Sequence, residues 1–238
     1  MIELFFGPTP NCWKVSIFLE EARIPYRLSP IFLDIGDQFK PEFLAISPNN
    51  RIPAIIDHRP ADGGEPLALF ESGAILLYLA EKHCIFLPTD ARGRADTMAW
   101  LMWQMGGLGP MLGQHGHFLL YAAERHQYAL DRYRAEARRL YGVLDRRLSD
   151  TQSYVAGDAF TIADIATFPW VMTHKRQQIS LDDYPAVARW FAEVRGRPAV
   201  QAGIAAGKSL FANRTPASGA SRDRLFGLTA TQERPREE

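Results

Sequence analysis

The stretch IELFFGPTPNCWKVSIFLEEA, residues 2–22, predicts a β-strand that runs directly into an α-helix. It begins with the short apolar run IELFF, and Pro8 and Pro10 stiffen the turn that follows. From Val15 onward, apolar residues recur at positions 15, 18, 19 and 22, which lie on one face of a helix. Residues 11–14 therefore form the first helical turn, where free N–H groups and the helix dipole favour an anion or a thiolate.

Thr9, Asn11 and Cys12 place two polar side chains and a thiol in this turn. Thr and Asn are common helix-capping residues, so capping alone is one interpretation of the first two, and a ligand site is the other. For Cys12 the alternatives are an inert thiol that faces the core and an exposed thiol whose pKa is lowered by the helix start. The other cysteine, Cys84, follows a helical pattern and is interpreted as a packing residue.

Outward from this unit, strand and helix patterns alternate up to about residue 83. The predicted order is β-α-β-α-β-β-α, which is typical of a small mixed sheet covered by helices, an α/β arrangement. The turn sequence RPADGGEP, residues 59–66, separates the last two strands and predicts a hairpin. The remaining predicted elements are strands at 26–33, 53–57 and 67–70 and helices at 41–46 and 71–83.

Beyond residue 86 the pattern becomes all-helical. We predict a first domain over residues 1–86, a linker over 87–94, an all-helical domain over 95–207 and a flexible polar tail over 208–238. The segment GGLGP, residues 106–110, predicts a break or kink in its helix. Thr161 and Asp164 have the spacing of a capping box, and the helix that follows is apolar on nearly all sides, which places it at the centre of its domain.

Composition argues against several classes of protein. The 27 basic and 27 acidic side chains give a formal net charge of zero, whereas a dedicated nucleic-acid-binding protein carries a basic surface. No apolar run is long enough to span a membrane, and the N-terminus lacks the pattern of a signal peptide. Two cysteines in 238 residues make neither a disulfide scaffold nor a zinc site. From these observations together we expect a cytoplasmic protein.

Histidines and tryptophans of the helical half are assigned structural roles. His115 and His117 lack the further ligands that a metal site requires, so we expect no bound metal and two solvated loop histidines. Trp170 and the other tryptophans of this half follow helical patterns, which places them in the core or at an interface rather than in a binding site.

Three separated stretches fit one ligand: TPNC at 9–12, SPNNRIPAI at 47–55 and FESG at 70–73. A proline that opens a strand can follow a cis peptide bond, which would leave the Ile52 backbone free to pair with an extended peptide. Ser72, at the next helix start, suits a carboxylate, and Glu71 suits an amine. Together these stretches predict a site for a small peptide that carries both a carboxylate and an amine.

The motifs RIPAI, FESGAILLYL, FTIADI and WQMGGLGPMLGQ resemble those of the glutathione transferase superfamily, over residues 1–207. Within it, the chain is similar to the nu-class group of YfcG-type glutathione-dependent disulfide-bond reductases. The resemblance implies a thioredoxin-like N-terminal domain, a helical-bundle C-terminal domain and a homodimer. It also implies glutathione or glutathione disulfide as the ligand, with no tightly bound cofactor, nucleic acid or membrane as a partner.

Carried over position by position, the resemblance implies a catalytic role for Thr9 and Asn11 at the glutathione sulfur. Cys12 stands where similar proteins often have Gly, so a part for it in the sulfur chemistry stays open. The implied glutathione-binding residues are Thr9, Asn11, Gln38, Arg51, Ile52, Pro53, Glu71, Ser72 and Arg132.

The function that this implies is glutathione-dependent reduction of small disulfides, in which a thiolate attacks a disulfide sulfur. One alternative is the conjugation of glutathione to electrophiles. A second alternative is a glutathione-binding regulatory module without catalytic activity.

Overall fold

The N-terminal part of the chain forms a four-stranded mixed sheet covered by helices. In the computed structural model, which describes residues 1–212, the strands lie in the order β2-β1-β3-β4. Strands β1 and β2 are parallel, whereas β1 with β3 and β3 with β4 are antiparallel. The elements are β1 (Ile2–Phe6), α1 (Pro10–Glu21), β2 (Tyr26–Pro30), α2 (Pro41–Leu44), β3 (Ala54–Asp57), β4 (Leu67–Phe70) and α3 (Ser72–His83).

This order confirms the predicted β-α-β-α-β-β-α arrangement, with two strands shorter than expected. The second strand was predicted over 26–33 and ends at Pro30, because its partner β1 ends at Phe6, which pairs with Pro30. The third was predicted over 53–57 and begins at Ala54. The Ile52–Pro53 peptide bond directly before β3 is cis.

The rest of the described chain is helical. The helices are α4 (Ala91–Trp103), α5 (Gly109–Gly116), α6 (Gln127–Thr151), α7 (Ile162–Val171), α8 (Pro185–Gly196), α9 (Pro198–Ala205) and α10 (Lys208–Phe211). Within residues 1–212, none of the helices is both long and apolar enough to cross a bilayer.

Helix α4 begins earlier than the predicted start of the helical domain at residue 95. Asp90 caps it by accepting a hydrogen bond from the Gly93 N–H at 2.8 Å, so residues 91–94 of the predicted linker are helical. The connection between α3 and α4 is therefore shorter than the sequence predicts. The domain boundaries themselves stay a prediction.

The glycine-rich segment after α4 does not interrupt the helix. A π-helical turn, Gln104–Leu108, connects α4 to α5, and Pro110 lies in the first turn of α5. Of the predicted break or kink, the break is therefore wrong, and the widened turn directs Gln104 and Met105 towards the N-terminal part.

Helix α7 lies in the core, as predicted. The Thr161 side chain accepts a bond from the Ala163 N–H at 3.3 Å, and Asp164 accepts one from the Thr161 N–H at 3.0 Å, which confirms the capping box. Trp190 of α8 donates a further bond to Asp164 at 2.9 Å, so the cap also ties α7 to α8.

Helix α1 is the element that joins the sheet to the helical part. It packs closely on α9, where a Cβ added to Gly203 would lie 2.6 Å from the Ile17 Cα. The Ser16 hydroxyl donates to the Gly203 carbonyl at 2.8 Å. Because α1 also carries the predicted turn, these contacts hold the candidate site against the helical part.

The predicted tail over 208–238 begins with a short helix, because Lys208–Phe211 form α10. The Phe211 ring packs against Phe6 and Phe32, with centroids 6.2 and 5.3 Å apart. This apolar contact holds the first turn of the predicted tail on the sheet. Residues 213–238 lie outside the described part of the chain.

Candidate functional site

A cavity of about 460 Å³ lies between the N-terminal part and the helical part. Its N-terminal wall brings together six of the predicted binding residues, from three separated stretches of the sequence: Asn11, Arg51, Ile52, Pro53, Glu71 and Ser72. Its other wall is formed by the π-helical turn, α5 and Trp170 of α7. The sequence analysis therefore identified most of one wall and none of the other.

At the start of α1, Asn11 faces the cavity. Thr9 occupies the N-cap position, but its side chain makes no capping bond, so the capping interpretation is wrong for Thr9. The indole N–H of Trp170 donates to the Asn11 Oδ1 at 3.0 Å. That bond occupies the amide oxygen and leaves the Asn11 NH₂ group as the donor available to a ligand.

Cys12, the next residue, is turned into the core. Its side chain is completely buried, and burial raises the pKa of its thiol to about 12, although hydrogen bonds from Thr9 and the Gly7 backbone oppose this. A helix turns by about 100° per residue, which separates the directions of Asn11 and Cys12. Of the two alternatives for Cys12, the structure supports the inert thiol.

Ile52 presents free backbone groups to the cavity. Within residues 1–212, neither its N–H nor its C=O has a hydrogen-bond partner, and β3 begins only at Ala54. Gly7 allows the Ile52 side chain to lie close by, because a Cβ at Gly7 would be 2.7 Å from the Ile52 Cδ1. The strand edge can therefore pair with an extended ligand.

Glu71 and Ser72 begin helix α3 beside this edge, because Phe70 at the end of β4 pairs with Ala54 at the start of β3. Glu71 has φ +70° and ψ 113°, a backbone conformation that favours glycine, and its carboxylate side chain is exposed. Ser72 is buried to 3 % exposure in the first helical turn, where the N–H groups point into the cavity. The pair thus offers a carboxylate to a cation and a hydroxyl with helix N–H groups to an anion.

Lys14 is a site residue that the sequence analysis missed. Its side chain is 1 % exposed, and its ammonium donates to the Gln104 Oε1 at 2.7 Å and to the Ser72 Oγ at 3.3 Å. Burial lowers the pKa of Lys14 to about 7, opposed by the charge of Glu71. The sequence did contain a sign of this position. Lys14 precedes Phe18 by four residues and Ala22 by eight, which places it on the apolar face of α1.

Three other predicted residues do not line the cavity. Thr9 lies beside it at the N-cap of α1. Gln38 is buried and donates to the Leu33 carbonyl at 3.3 Å. Arg132, on α6, has a side chain that is 58 % exposed and lies 3.9 Å from Glu136. Their roles towards glutathione stay predictions.

One structural assignment of the sequence analysis is incomplete and another is wrong. Trp170 is partly buried against the hydrophobic core, as predicted, but it also lines the cavity, because α7 ends beside the start of α1. His115 is not a solvated loop residue, since it lies on α5 with its side chain completely buried. Neither ring nitrogen of His115 has a hydrogen-bond partner among residues 1–212, and burial lowers its pKa.

The part of the chain that the structure describes contains no cluster of three or more His, Cys, Asp or Glu side chains suited to a metal ion. The cavity wall offers amide, hydroxyl and backbone donors, two cations and one exposed carboxylate. This set of groups suits a small zwitterionic peptide.

Comparison with protein families and curated proteins gives long matches. Residues 9–82 match the model described as the N-terminal domain of glutathione S-transferase, and residues 97–198 match the C-terminal domain. The chain is 57 % identical over 199 residues to the disulfide-bond oxidoreductase YfcG of Escherichia coli, covering 84 % of this chain and 92 % of that protein. It is 40 % identical over 215 residues to the disulfide-bond oxidoreductase YghU of the same organism, covering 85 % and 73 % of the two chains.

Solved structures with the same fold contain glutathione or its disulfide. A glutathione transferase from Burkholderia graminis, with two glutathione molecules per subunit, has a TM-score of 0.82 and 46 % identity, covering 87 % of this chain and 88 % of that one. A glutathione transferase from Pseudomonas putida, with one glutathione disulfide per subunit, has a TM-score of 0.81 and 45 % identity, covering 85 % and 90 %.

Proposed function

The chain belongs to the glutathione S-transferase family, as its motifs predicted, and we propose that it is a glutathione-dependent oxidoreductase that reduces small disulfides. One observation carries the proposal. The cavity joins a free strand edge, an anion-binding helix start and the Asn11 amide, while the one nearby thiol of the chain, Cys12, is buried away from it. The site can hold a peptide thiol and supplies no thiol of its own, so the reacting thiol is that of glutathione.

The ligand lies along the cavity in an extended conformation. The cysteinyl unit pairs with the free N–H and C=O of Ile52. The γ-glutamyl carboxylate accepts bonds from the Ser72 hydroxyl and the N–H groups of α3, and the γ-glutamyl amine faces Glu71. Arg51, at the cavity wall, adds positive charge for the ligand's carboxylates. Gln38 is proposed near the glycyl end, and Arg132 is proposed to reach the ligand from the helical part.

This placement brings the glutathione sulfur to the start of α1. There the Asn11 NH₂ group and the Thr9 hydroxyl donate to the thiolate, whose pKa falls as these bonds and the helix dipole stabilise the charge. A fall of about one pKa unit corresponds to roughly 1.4 kcal/mol of preferential stabilisation of the thiolate.

The reaction proceeds in two exchanges. The glutathione thiolate attacks one sulfur of the substrate disulfide, the S–S bond breaks, and the departing sulfur leaves as a thiolate that takes up a proton. The product is a mixed disulfide between glutathione and half of the substrate. The thiolate of a second glutathione attacks the glutathione sulfur of this mixed disulfide and releases the other substrate thiol, which leaves glutathione disulfide.

Side-by-side assays separate this function from its alternatives. With glutathione saturating, we expect steady turnover of bis(2-hydroxyethyl) disulfide and little conjugation of 1-chloro-2,4-dinitrobenzene. Fast conjugation with slow disulfide reduction would identify a conjugating transferase. Binding of glutathione without turnover of either substrate would identify a binding module.

The homodimer and the compartment belong to the same proposal. Apolar side chains are exposed on β4 and α4, with Leu67 at 38 % and Met102 at 54 %, which suits an interface with a second copy. Light scattering on purified protein measures the mass and tests the dimer.

Both cysteines are free thiols, which suits the reducing cytoplasm, where glutathione is the main small thiol.

A further inference from the structure

Beneath the cavity lies a buried positive charge without a negative partner. The Lys14 ammonium makes no salt bridge within residues 1–212, although its side chain is 1 % exposed. An unpaired charge in the interior of a protein is unfavourable, and an anion that binds beside it removes much of that penalty. The chain therefore holds at this position a cation that a bound anion can pair with.

All three groups that contact the ammonium are uncharged and belong to the cavity wall. Gln104 Oε1 accepts a bond at 2.7 Å and Ser72 Oγ accepts one at 3.3 Å, while the Met105 sulfur lies at 3.2 Å. The two contacts from the helical part exist because the π-helical turn directs Gln104 and Met105 towards α1. Lys14 is thus fixed by both halves of the molecule.

The bond to Ser72 has a consequence for the hydroxyl proton. When the Ser72 oxygen accepts from Lys14, its own O–H must be directed elsewhere. The Met105 sulfur lies 3.6 Å from the Ser72 oxygen and is a weak acceptor. A carboxylate in the cavity is a much stronger acceptor for the same proton.

We propose that Lys14 is a positioning residue, which directs the Ser72 hydroxyl towards the γ-glutamyl carboxylate of glutathione and takes up a proton when that carboxylate binds. The inference rests on the proposed function, since it assumes that glutathione binds with its γ-glutamyl group at Ser72. It explains why a lysine is buried at this position, and it predicts that ligand binding is coupled to proton uptake.

The coupling follows from the charges around Lys14. Burial holds its pKa at about 7. Glu71 is the charged group that raises that pKa, Cys12 is a neutral thiol at this pH, and Arg51 is the other cation of the cavity wall. A carboxylate bound at Ser72 adds a negative charge close to the ammonium and raises the pKa of Lys14 further. Above pH 7, binding therefore draws a proton onto the lysine.

Isothermal titration of S-methylglutathione tests this proton uptake, because the probe carries the carboxylates and the amine but no titrating thiol. Titrations at about pH 7.5 in two buffers with different ionisation enthalpies give the number of protons bound. For the unchanged protein we expect an uptake of roughly half a proton or more per site. The expected affinity falls as the pH rises from 7 to 8.5.

Lys14→Met keeps the length of the side chain and removes its charge. We expect affinity for the probe to fall about tenfold and proton uptake to disappear. Lys175→Met, at an exposed lysine away from the cavity, should behave like the unchanged protein. If Lys14→Met does not fold, as judged by circular dichroism, Lys14→Gln takes its place.

The outcomes distinguish the two proposals. If the unchanged protein does not bind S-methylglutathione, the proposed function itself is wrong. If it binds without proton uptake, or if a folded Lys14 variant keeps the same uptake and affinity, only the role of Lys14 is overturned.

Discussion

Asn11 and Cys12 are neighbours in the sequence and point in different directions in the fold. The Asn11 amide lies at the cavity with Trp170 as its partner, whereas the Cys12 thiol is completely buried. Sequence alone left both residues as candidates for the sulfur chemistry. Their surroundings now assign them different roles.

We expect Asn11→Ala to lower the rate of disulfide reduction about tenfold, equivalent to roughly 1.4 kcal/mol, because a donor to the developing thiolate is lost. Cys12→Ala should keep most of the rate, since the thiol does not reach the cavity. Steady-state rates on a model disulfide, with glutathione saturating, provide the measurement. A nearly normal Asn11→Ala beside an inactive but folded Cys12→Ala would show that the thiol is the nucleophile.

The Ser72 hydroxyl provides a second test at the scale of a single atom. Ser72→Ala should weaken glutathione binding by about 1.5–3 kcal/mol, because the lost hydrogen bond is made to a charged carboxylate. Ser149→Ala, at an exposed position on α6, is the matched control. Calorimetric titration of both variants decides the matter, and equal affinities would remove Ser72 from the site.

At this scale, the sequence was informative where residue type and spacing are enough. The turn before α1, the proline before β3 and the Glu71–Ser72 pair could be predicted because their chemistry is local. Lys14 and Trp170 could not be assigned in the same way, because their importance depends on contacts with residues about 90 and 159 positions away in the chain. A lysine on an apolar helix face was the one local sign.

Helix α1 owes its place in the molecule to a close approach of two helix backbones. Gly203 of α9 leaves no room for a side chain, because the Ile17 backbone would lie 2.6 Å from an added Cβ. The Ser16 bond to the Gly203 carbonyl depends on the same distance. The packing of α9 therefore controls the position of the turn that carries Asn11.

Gly203→Ala should lower the free energy of unfolding by about 1–3 kcal/mol, the usual effect of overpacking a close interface. Gly196→Ala, on α8, is the control, because a Cβ there meets no atom within 4 Å. That change should leave stability unchanged or slightly increased. Urea unfolding of both variants measures the difference, and equal midpoints would show that α1 and α9 can separate freely.

The π-helical turn between α4 and α5 shows what element prediction from sequence misses. The glycines and the proline of residues 106–110 predicted a break, and composition does give that signal. Whether such a segment breaks or widens depends on what packs beside it. Here Met105 fits against Gly73 of α3, where a Cβ would lie 2.9 Å from its Cγ, and the helix continues.

At the scale of the whole molecule, the ring of Phe211 holds α10, the last described helix, on the sheet. Phe211→Ala should lower the free energy of unfolding by about 1–2 kcal/mol, since a partly buried ring with two aromatic partners is removed. Leu210→Ala, at a side chain that is 44 % exposed, should change it by less than about 0.5 kcal/mol. If thermal melting gives the same midpoint for both, α10 contributes nothing to the fold.

The buried lysine also sets how the stability of the ligand-free protein depends on pH. Folding lowers the pKa of Lys14 to about 7, whereas an unfolded lysine has a pKa of about 10.4. Above pH 7 the unfolded chain therefore holds more protons, and the contribution of Lys14 to stability rises with pH. Below pH 7 both states are protonated and this contribution is constant.

We expect Lys14→Met to have a higher free energy of unfolding than the unchanged protein at pH 7. This margin should narrow by up to roughly 1.4 kcal/mol per pH unit towards pH 8.5. Cys12 is present in both proteins, so its own contribution to the free energy of unfolding cancels in this comparison. That contribution falls as the pH rises above the ordinary pKa of a thiol, because the pKa of folded Cys12 is about 12. Urea unfolding at pH 7.0, 7.75 and 8.5 measures the margin. A margin that does not change with pH would show that Lys14 titrates alike in both states.

The bond between Trp170 and Asn11 makes occupancy of the cavity visible to light. The emission of an indole responds to the polarity around its ring and to the partner of its N–H group, and both change when a ligand enters beside Asn11. We therefore expect the intrinsic near-ultraviolet fluorescence of the protein, to which its five tryptophans contribute, to change when a ligand enters the cavity. Binding can then be followed without a dye or a label.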